Sequence, residues 1–227
     1  MLKHFFILTF LLCFASCAGA EESKRTFRIV FPERPNDAPK TIYLFDGEKS
    51  QQLFLPSMNF SKVINLKPGD ITLVFSTKPV VDPEDIPLSL PKIRVSEQTK
   101  DFYIFVSPQE KTKEFPLRFS LVSLSKSRLK PGETLWYNFT NHRVAAKLGN
   151  TKMVVAPRKF AVSSSPLKES GYYRAEFAFQ ESEKQAYRRI TEQQWWHDMK
   201  SRHVGFIVSK GGVLPKIYFF RDYRAVK

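Results

Sequence analysis

The sequence predicts an all-β chain of two tandem sandwiches behind a secretory leader. Three observations carry this reading. Aromatic residues are abundant, with 21 Phe, 8 Tyr and 3 Trp among 227 residues, and aromatic side chains fit the pleated, half-buried surface of a strand. Fifteen prolines punctuate the chain, and Ala/Leu-rich helical stretches are scarce. Short apolar runs recur about every 8–12 residues with turn signals between them, the spacing of a sandwich or barrel.

Residues 1–20 read as an export signal rather than as fold. Lys3 gives a positive start, the stretch from Phe5 to Phe14 is almost unbroken apolar, and small residues follow. A membrane span needs about 20 apolar residues, and no second run of that kind occurs, so a mature chain without a transmembrane span is expected. Two processing routes fit. Ala18-Gly19-Ala20 is an A-x-A cleavage site, whereas Phe14-Ala15-Ser16-Cys17 resembles a lipobox that would make Cys17 a lipidated first residue and supply a lipid anchor. Both cysteines, Cys13 and Cys17, lie in this leader. The mature chain then has no disulfide, no Cys-based zinc site and no thiol nucleophile, and its core alone must hold it together.

Strand candidates follow in order at 26–31, 41–45, 52–55, 71–76, 93–95 and 101–107. After a polar stretch with one proline come 117–124, 134–138, 143–148, 152–155, 159–162, 172–179, 203–208 and 216–220. The polar stretch reads as a linker at 108–113, which divides the mature chain into sandwich units at 24–107 and 114–224. Segment 78–91 carries Pro79, Pro83, Pro87 and Pro91; it reads as a surface loop, because proline removes a ladder donor and breaks helices. Gly211-Gly212 reads as a hairpin turn. The segment 181–200 fits either a helix or a turn at 181–184 followed by a strand at 186–194, and the β-rich context favours the strand. One phrase occurs twice: Leu66-Lys67-Pro68-Gly69-Asp70 and Leu129-Lys130-Pro131-Gly132-Glu133 each precede an apolar run. Pro-Gly builds a tight turn, so each copy reads as a turn feeding a core strand, and the pair suggests two similar units.

Charge points toward anionic partners. The chain has 36 basic and 22 acidic residues, and loss of the leader removes only Lys3. A surface this basic attracts headgroups, anionic glycans or nucleic acid, though it also serves solubility alone. Export and the lack of a recognisable helix-turn-helix, zinc finger or RNP motif argue against nucleic acid.

Catalytic chemistry is hard to name. His142 falls in a turn; His197 and His203 flank Asp198 in "WWHDMKSRH", from Trp195 to His203, without a zinc-helix spacing, and read as turn histidines. Lys200 and Arg202 would oppose a bound cation, so neither a metal nor a cofactor is expected. No G-x-S-x-G occurs, and Ser163-Ser164-Ser165 reads as a loop. Asp82, Glu84 and Asp85 read as a solvated loop. Asn59-Phe60-Ser61 and Asn138-Phe139-Thr140 match a glycosylation pattern only weakly diagnostic of its use. The feature most open to function is Trp195-Trp196. Adjacent strand residues face opposite ways, so one ring should be available to stack on a sugar or fill a partner's pocket, with Arg188, Arg189, Lys200 and Arg202 nearby in sequence.

The stretches "WYNFTNHRVAAKLGNTKMVVAPRKF" and "WWHDMKSRHVGFIVSKGGVLPKIYFFRDY" resemble the layout of uncharacterised exported bacterial proteins built from tandem immunoglobulin-like sandwiches. An Asn-x-Thr turn leads to a strand, a Leu-Gly hairpin and a strand ending near proline. The resemblance implies an immunoglobulin-like fold and carries no activity. The expected function is therefore a non-enzymatic binding or structural role in the bacterial envelope, in the periplasm or at the outer membrane, as an adaptor to an envelope protein. The alternative is an anionic-glycan or peptidoglycan binding module that uses Trp195, Trp196, Arg188, Arg189, Lys200 and Arg202.

Overall fold

The computed structural model describes residues 25–109, 115–123, 129–209 and 214–223. The leader with Cys13 and Cys17, residues 110–113 of the expected linker with the following residue 114, and the Gly211-Gly212 turn lie outside the described residues. Among those described there are sixteen strands and one short 3-10 turn. The first eight strands are β1 (Arg25–Val30), β2 (Thr41–Phe45), β3 (Ser50–Phe54), β4 (Ile64–Leu66), β5 (Ile71–Ser76), β6 (Lys92–Val95), β7 (Asp101–Pro108) and β8 (Leu117–Ser123). The second eight are β9 (Thr134–Asn138), β10 (Arg143–Leu148), β11 (Thr151–Val155), β12 (Phe160–Ser163), β13 (Gly171–Gln180), β14 (Arg188–His197), β15 (Arg202–Val208) and β16 (Lys216–Asp222). The expectation of an all-β chain holds.

These strands form four four-stranded sheets, with orders β4-β1-β7-β8, β3-β2-β5-β6, β12-β9-β15-β16 and β11-β10-β13-β14. Adding eight to each label of the first two sheets gives the other two. The pairing sense repeats as well: β1 runs parallel to β7 as β9 does to β15, and the other pairs are antiparallel. One eight-strand pattern therefore occurs twice. The repeated Leu-Lys-Pro-Gly phrase is not its marker, because Gly69 enters β5 whereas Gly132 enters β9. Both glycines do adopt the left-handed backbone that the turn demands, at φ 87° and 80°.

Three apolar interiors order the sheets into layers. Phe27, Ile29, Phe102 and Ile104 meet Leu44, Leu73 and Phe75 between the first two sheets. Trp136 and Ile207 meet Val144, Phe177 and Phe179 between the last two. Val30, Tyr103, Phe105 and Val122 meet Leu135, Val204, Phe206 and Phe220 between the halves. The β4-β1-β7-β8 and β12-β9-β15-β16 sheets are thus covered on both faces. Two-sided burial removes the apolar/polar alternation, which is why Phe102 to Val106 and Arg202 to Ile207 are buried without a break.

Several boundaries differ from the sequence reading. β8 was expected to open the second unit, but it pairs with β7, with Ser107 opposite Arg118 and Pro108 opposite Leu117. Gln109 N–H donates to Pro116 O at 2.7 Å. The chain therefore passes to the second pair of sheets only after Ser123. Composition misled here because a polar hairpin turn and a polar linker look alike. The three-residue β4 was missed, being too short to show a period. Segment 181–200 is a strand beyond its opening turn, and it runs on to His197. In the proline-rich loop, Pro83–Asp85 form a single 3-10 turn capped by Asp82, whose Oδ1 accepts from Glu84 N–H at 2.8 Å; Pro83 fits because the first helical N–H needs no partner. Asn138 is fully buried, and its side chain closes the β9–β10 turn through Thr140, His142, Val155 and Ala156. It serves as a turn plug, not as a glycan acceptor.

Candidate binding face and buried polar clusters

The β11-β10-β13-β14 sheet buries one face only. Along β13, Tyr173, Ala175, Phe177 and Phe179 point inward, and Tyr172, Arg174, Glu176 and Ala178 point outward. The neighbouring β14 obeys the same alternation. Trp195 turns in, stacking on Phe219 with ring centroids 4.8 Å apart. Trp196 turns out and meets Tyr172 edge-on at 5.0 Å and 75°. Tyr172 is 68% exposed and Trp196 38%, so the pair offers apolar area to a partner at low entropic cost.

Cations share this outer face, but glutamates hold them. Glu176 pairs with Lys147 at 3.4 Å and with Arg174 at 3.2 Å, and Glu192 pairs with Arg174 and, at 3.3 Å, with Arg189. A bulge between Phe177 and Ala178 skips Ile190 and sets Arg189 opposite Ala178. The small side chains of Ala145 and Ala178 leave a trough between Lys147, Lys152, Val154, Tyr187 and Arg189. The ten-residue β14 ends the sheet, and among the described residues its second edge carries no ladder.

The six residues singled out in sequence do not converge. Trp196 and Arg189 share the outer face. Trp195 belongs to the core. Arg188 lies over the Phe179 ring, 5.4 Å from its centroid, and pairs with Glu181 at 2.6 Å. Lys200 is exposed in the turn after β14. Arg202 is only 6% exposed and sits between the halves. Tyr172, the exposed ring that Trp196 meets, was missed; the alternation of Gly-Tyr-Tyr-Arg-Ala-Glu-Phe along β13 was the signal for it.

Arg202 belongs to a buried ionic node. Asp222, with no exposed surface, accepts from Arg28 Nη1 at 2.6 Å, from Tyr103 Oη at 2.6 Å and from Arg202 Nη2 at 3.0 Å. Arg202 Nη1 also donates to Asp101 Oδ2 at 2.5 Å. Arg28, Asp101 and Tyr103 come from the first half and Arg202 and Asp222 from the second, so the node ties the halves together. Among the described residues, two guanidinium groups answer two carboxylates there, and buried charges need such partners.

A second cluster lies at the end of the second core. His197 and His203 were expected in turns, yet His197 ends β14 and His203 lies in β15, and both are buried. Their positions share the inward parity of Trp195 and of Gly205. His197 Nε2 lies 2.7 Å from Ser165 Oγ, an approach that the loop reading of Ser165 missed. Among the described residues no carboxylate hydrogen-bonds to His197 as the third member of a nucleophile relay would. Asp198 turns away, accepting from Lys200 N–H and Ser201 Oγ, and Ser165 Oγ donates to Leu167 O. His203 stacks flat on Phe219 at 5.1 Å, with His197 at 5.3 Å, and among the described residues neither of its ring nitrogens has a hydrogen-bond partner.

Burial, and then the charge His197 would carry, depress the His203 pKa to about 4; burial also lowers that of His197, against the opposing pull of Asp198. The sign of the pH effect follows. The unfolded chain takes up these protons near the ordinary histidine pKa, about 6.5, and the folded chain does not. Stability is therefore whole above about pH 7 and falls as pH drops toward 4, by about 3 kcal/mol at most from His203. Denaturant midpoints taken at about pH 7.5 and 4.5 should show a fall that shrinks in His203→Phe; an equal fall in the variant would assign the effect elsewhere.

No protein-family model matches the chain, and a search of curated proteins gives no match.

Proposed function

We propose that the protein is a non-enzymatic, exported binding and structural component of the bacterial cell envelope, an adaptor built from two tandem immunoglobulin-like sandwiches. Residues 1–20 act as its export signal, with Cys17 as the anchor point if the lipobox route is taken, and its place is the periplasm or the outer-membrane surface. The observation that carries the reading is the ten-residue edge of β14, which has no ladder among the described residues, beside the exposed Tyr172–Trp196 pair. An open edge supplies main-chain donors and acceptors to an extended partner segment, and the aromatic pair supplies side-chain selectivity. The rest of the molecule, four layers held by three interiors, serves as a rigid mount.

The alternative, a glycan or peptidoglycan module, draws on the same rings, since Trp196 and Tyr172 can stack on a sugar. Its preference for anions is the weaker part, because Glu176 and Glu192 already hold Arg174 and Arg189. A photoreactive residue at Gln194, on the outer face of β14, tests the first reading in intact cells. It should cross-link to one envelope protein, and the adduct should vanish with Tyr172→Ala/Trp196→Ala. Co-sedimentation with peptidoglycan sacculi that the double variant abolishes, without any protein cross-link, would replace the adaptor by the glycan module.

A further inference from the structure

The turn at Ala156-Pro157-Arg158-Lys159 is built unlike its counterparts. Lys159 N–H donates to Ala156 O at 3.2 Å and closes the turn as Glu133 N–H to Lys130 O at 3.1 Å closes Lys130-Pro131-Gly132-Glu133. In the latter the residue after proline is glycine at φ 80°; in the former it is Arg158 at φ 57°. That backbone region suits glycine, and a long side chain is strained there. Among the described non-glycine residues only Met58 shares the conformation.

What the strain secures is a place at a cleft between the halves. A cavity of about 810 Å³ opens there, with Arg118, Arg158, His142, Asn141 and Gln109 among its polar lining and Phe105, Phe139 and Tyr218 among its aromatic lining. Its polar edge has unspent capacity. Arg158 Nε donates to Asn141 Oδ1 at 3.0 Å, which orients the guanidinium without neutralising it. Arg118 makes no ion pair or side-chain hydrogen bond among the described residues, and His142 Nδ1 is buried without a partner. Glu33, the one carboxylate in the lining, is taken up by Lys216 at 2.8 Å and by Tyr218. Two uncompensated guanidinium forks beside an aromatic wall match an oxyanion carried on an apolar ring.

We infer that the cleft between the halves binds a small carboxylate- or phosphate-bearing molecule with an apolar ring, the anion held by Arg118 and Arg158 and the ring against Phe139 and Tyr218. This site is separate from the β14 edge and does not depend on the adaptor reading. Titration calorimetry with phenyl phosphate, benzoate, inorganic phosphate and the neutral benzyl alcohol tests it. Phenyl phosphate or benzoate should bind with a Kd below about 1 mM at low salt and weaken as salt rises. Benzyl alcohol should not bind, and inorganic phosphate should bind at least about tenfold more weakly than phenyl phosphate. Arg158→Gly should lose binding about tenfold or more while its melting temperature stays level or rises, because the strained turn relaxes. Arg118→Gln should lose binding comparably, which guards against an effect peculiar to the turn. The inference fails if neither ring-bearing anion binds at about 10 mM, if both variants bind as the parent does, or if the neutral alcohol binds equally well.

Discussion

Asp222→Ala is expected to lower stability by about 3–5 kcal/mol, the cost of stranding a buried ionic partner. The carboxylate is fully enclosed and answers Arg28, Tyr103 and Arg202 together. Removing it takes from Arg28 and Arg202 the carboxylate they share, where their side chains are only 15% and 8% exposed. Among the described residues Arg28 loses the one carboxylate it pairs with, whereas Arg202 keeps Asp101 but has a buried Nε without a partner. The loss should be non-additive. Once Arg202→Met has removed one stranded charge, Asp222→Ala should cost less than it does alone, because the residues share one network. The node also bridges the halves, and the Phe105–Phe206 and Phe60–Phe220 contacts around it close the same seam. Urea unfolding of the parent should therefore be one transition, and that of Asp222→Ala should broaden or split as the halves lose their coupling. A loss below about 1 kcal/mol, the size typical of exposed pairs, would mean that the node is effectively solvated.

The all-β class and most strand positions were legible because apolar runs, proline and glycine act locally. Thr41–Phe45, Ile71–Ser76, Thr134–Asn138 and Arg143–Leu148 were bounded as the structure has them. The node was not legible. Arg28 and Asp222 lie 194 residues apart and Asp101 and Arg202 101 apart, and a lone charge beside an apolar run looks the same whether solvated or buried. The repeat was inferred for a local reason that does not hold, since the two Pro-Gly turns occupy different places in the eight-strand pattern. A better clue was available. Phe102-Tyr103-Ile104-Phe105-Val106 and Val204-Gly205-Phe206-Ile207-Val208 are continuous apolar runs, unlike the alternating Tyr172-Tyr173-Arg174-Ala175-Glu176-Phe177. Such runs signal strands covered on both faces, and two of them foretell a joint between the two halves. For the candidate face, Trp196 and Arg189 could be placed by parity, whereas the bulge that sets Arg189 opposite Ala178 leaves no mark in composition.

Gly205→Ala should be nearly as damaging as loss of Asp222, for a steric reason. Gly205 sits directly opposite Trp136 in the parallel β9–β15 pair, and the indole lies across the space a side chain would fill. A Cβ there would fall 2.1 Å from both Cε3 and Cζ3 of Trp136, far inside carbon–carbon contact distance. The ring has nowhere to retreat. Its Nε1 donates to Ser163 Oγ at 3.2 Å, and Phe177, Trp195 and Phe219 surround it at centroid distances of 5.0, 6.1 and 5.8 Å. Strand β15 cannot bow away either, because β9 and β16 flank it and both its faces are covered. Glycine inside a strand ordinarily weakens it; here it is what lets the largest side chain of the second core lie flat on the sheet. Overpacking on this scale should cost about 3 kcal/mol or more, at the upper end for core insertions, with loss of the near-ultraviolet dichroism of the Trp136–Trp195 stack. Trp136→Leu is itself expected to cost about 3 kcal/mol, but Gly205→Ala added to it should cost little further, since the clashing ring is gone. An alanine tolerated within about 0.5 kcal/mol in the parent, or one equally harmful in the Trp136→Leu background, would refute this packing of glycine against indole.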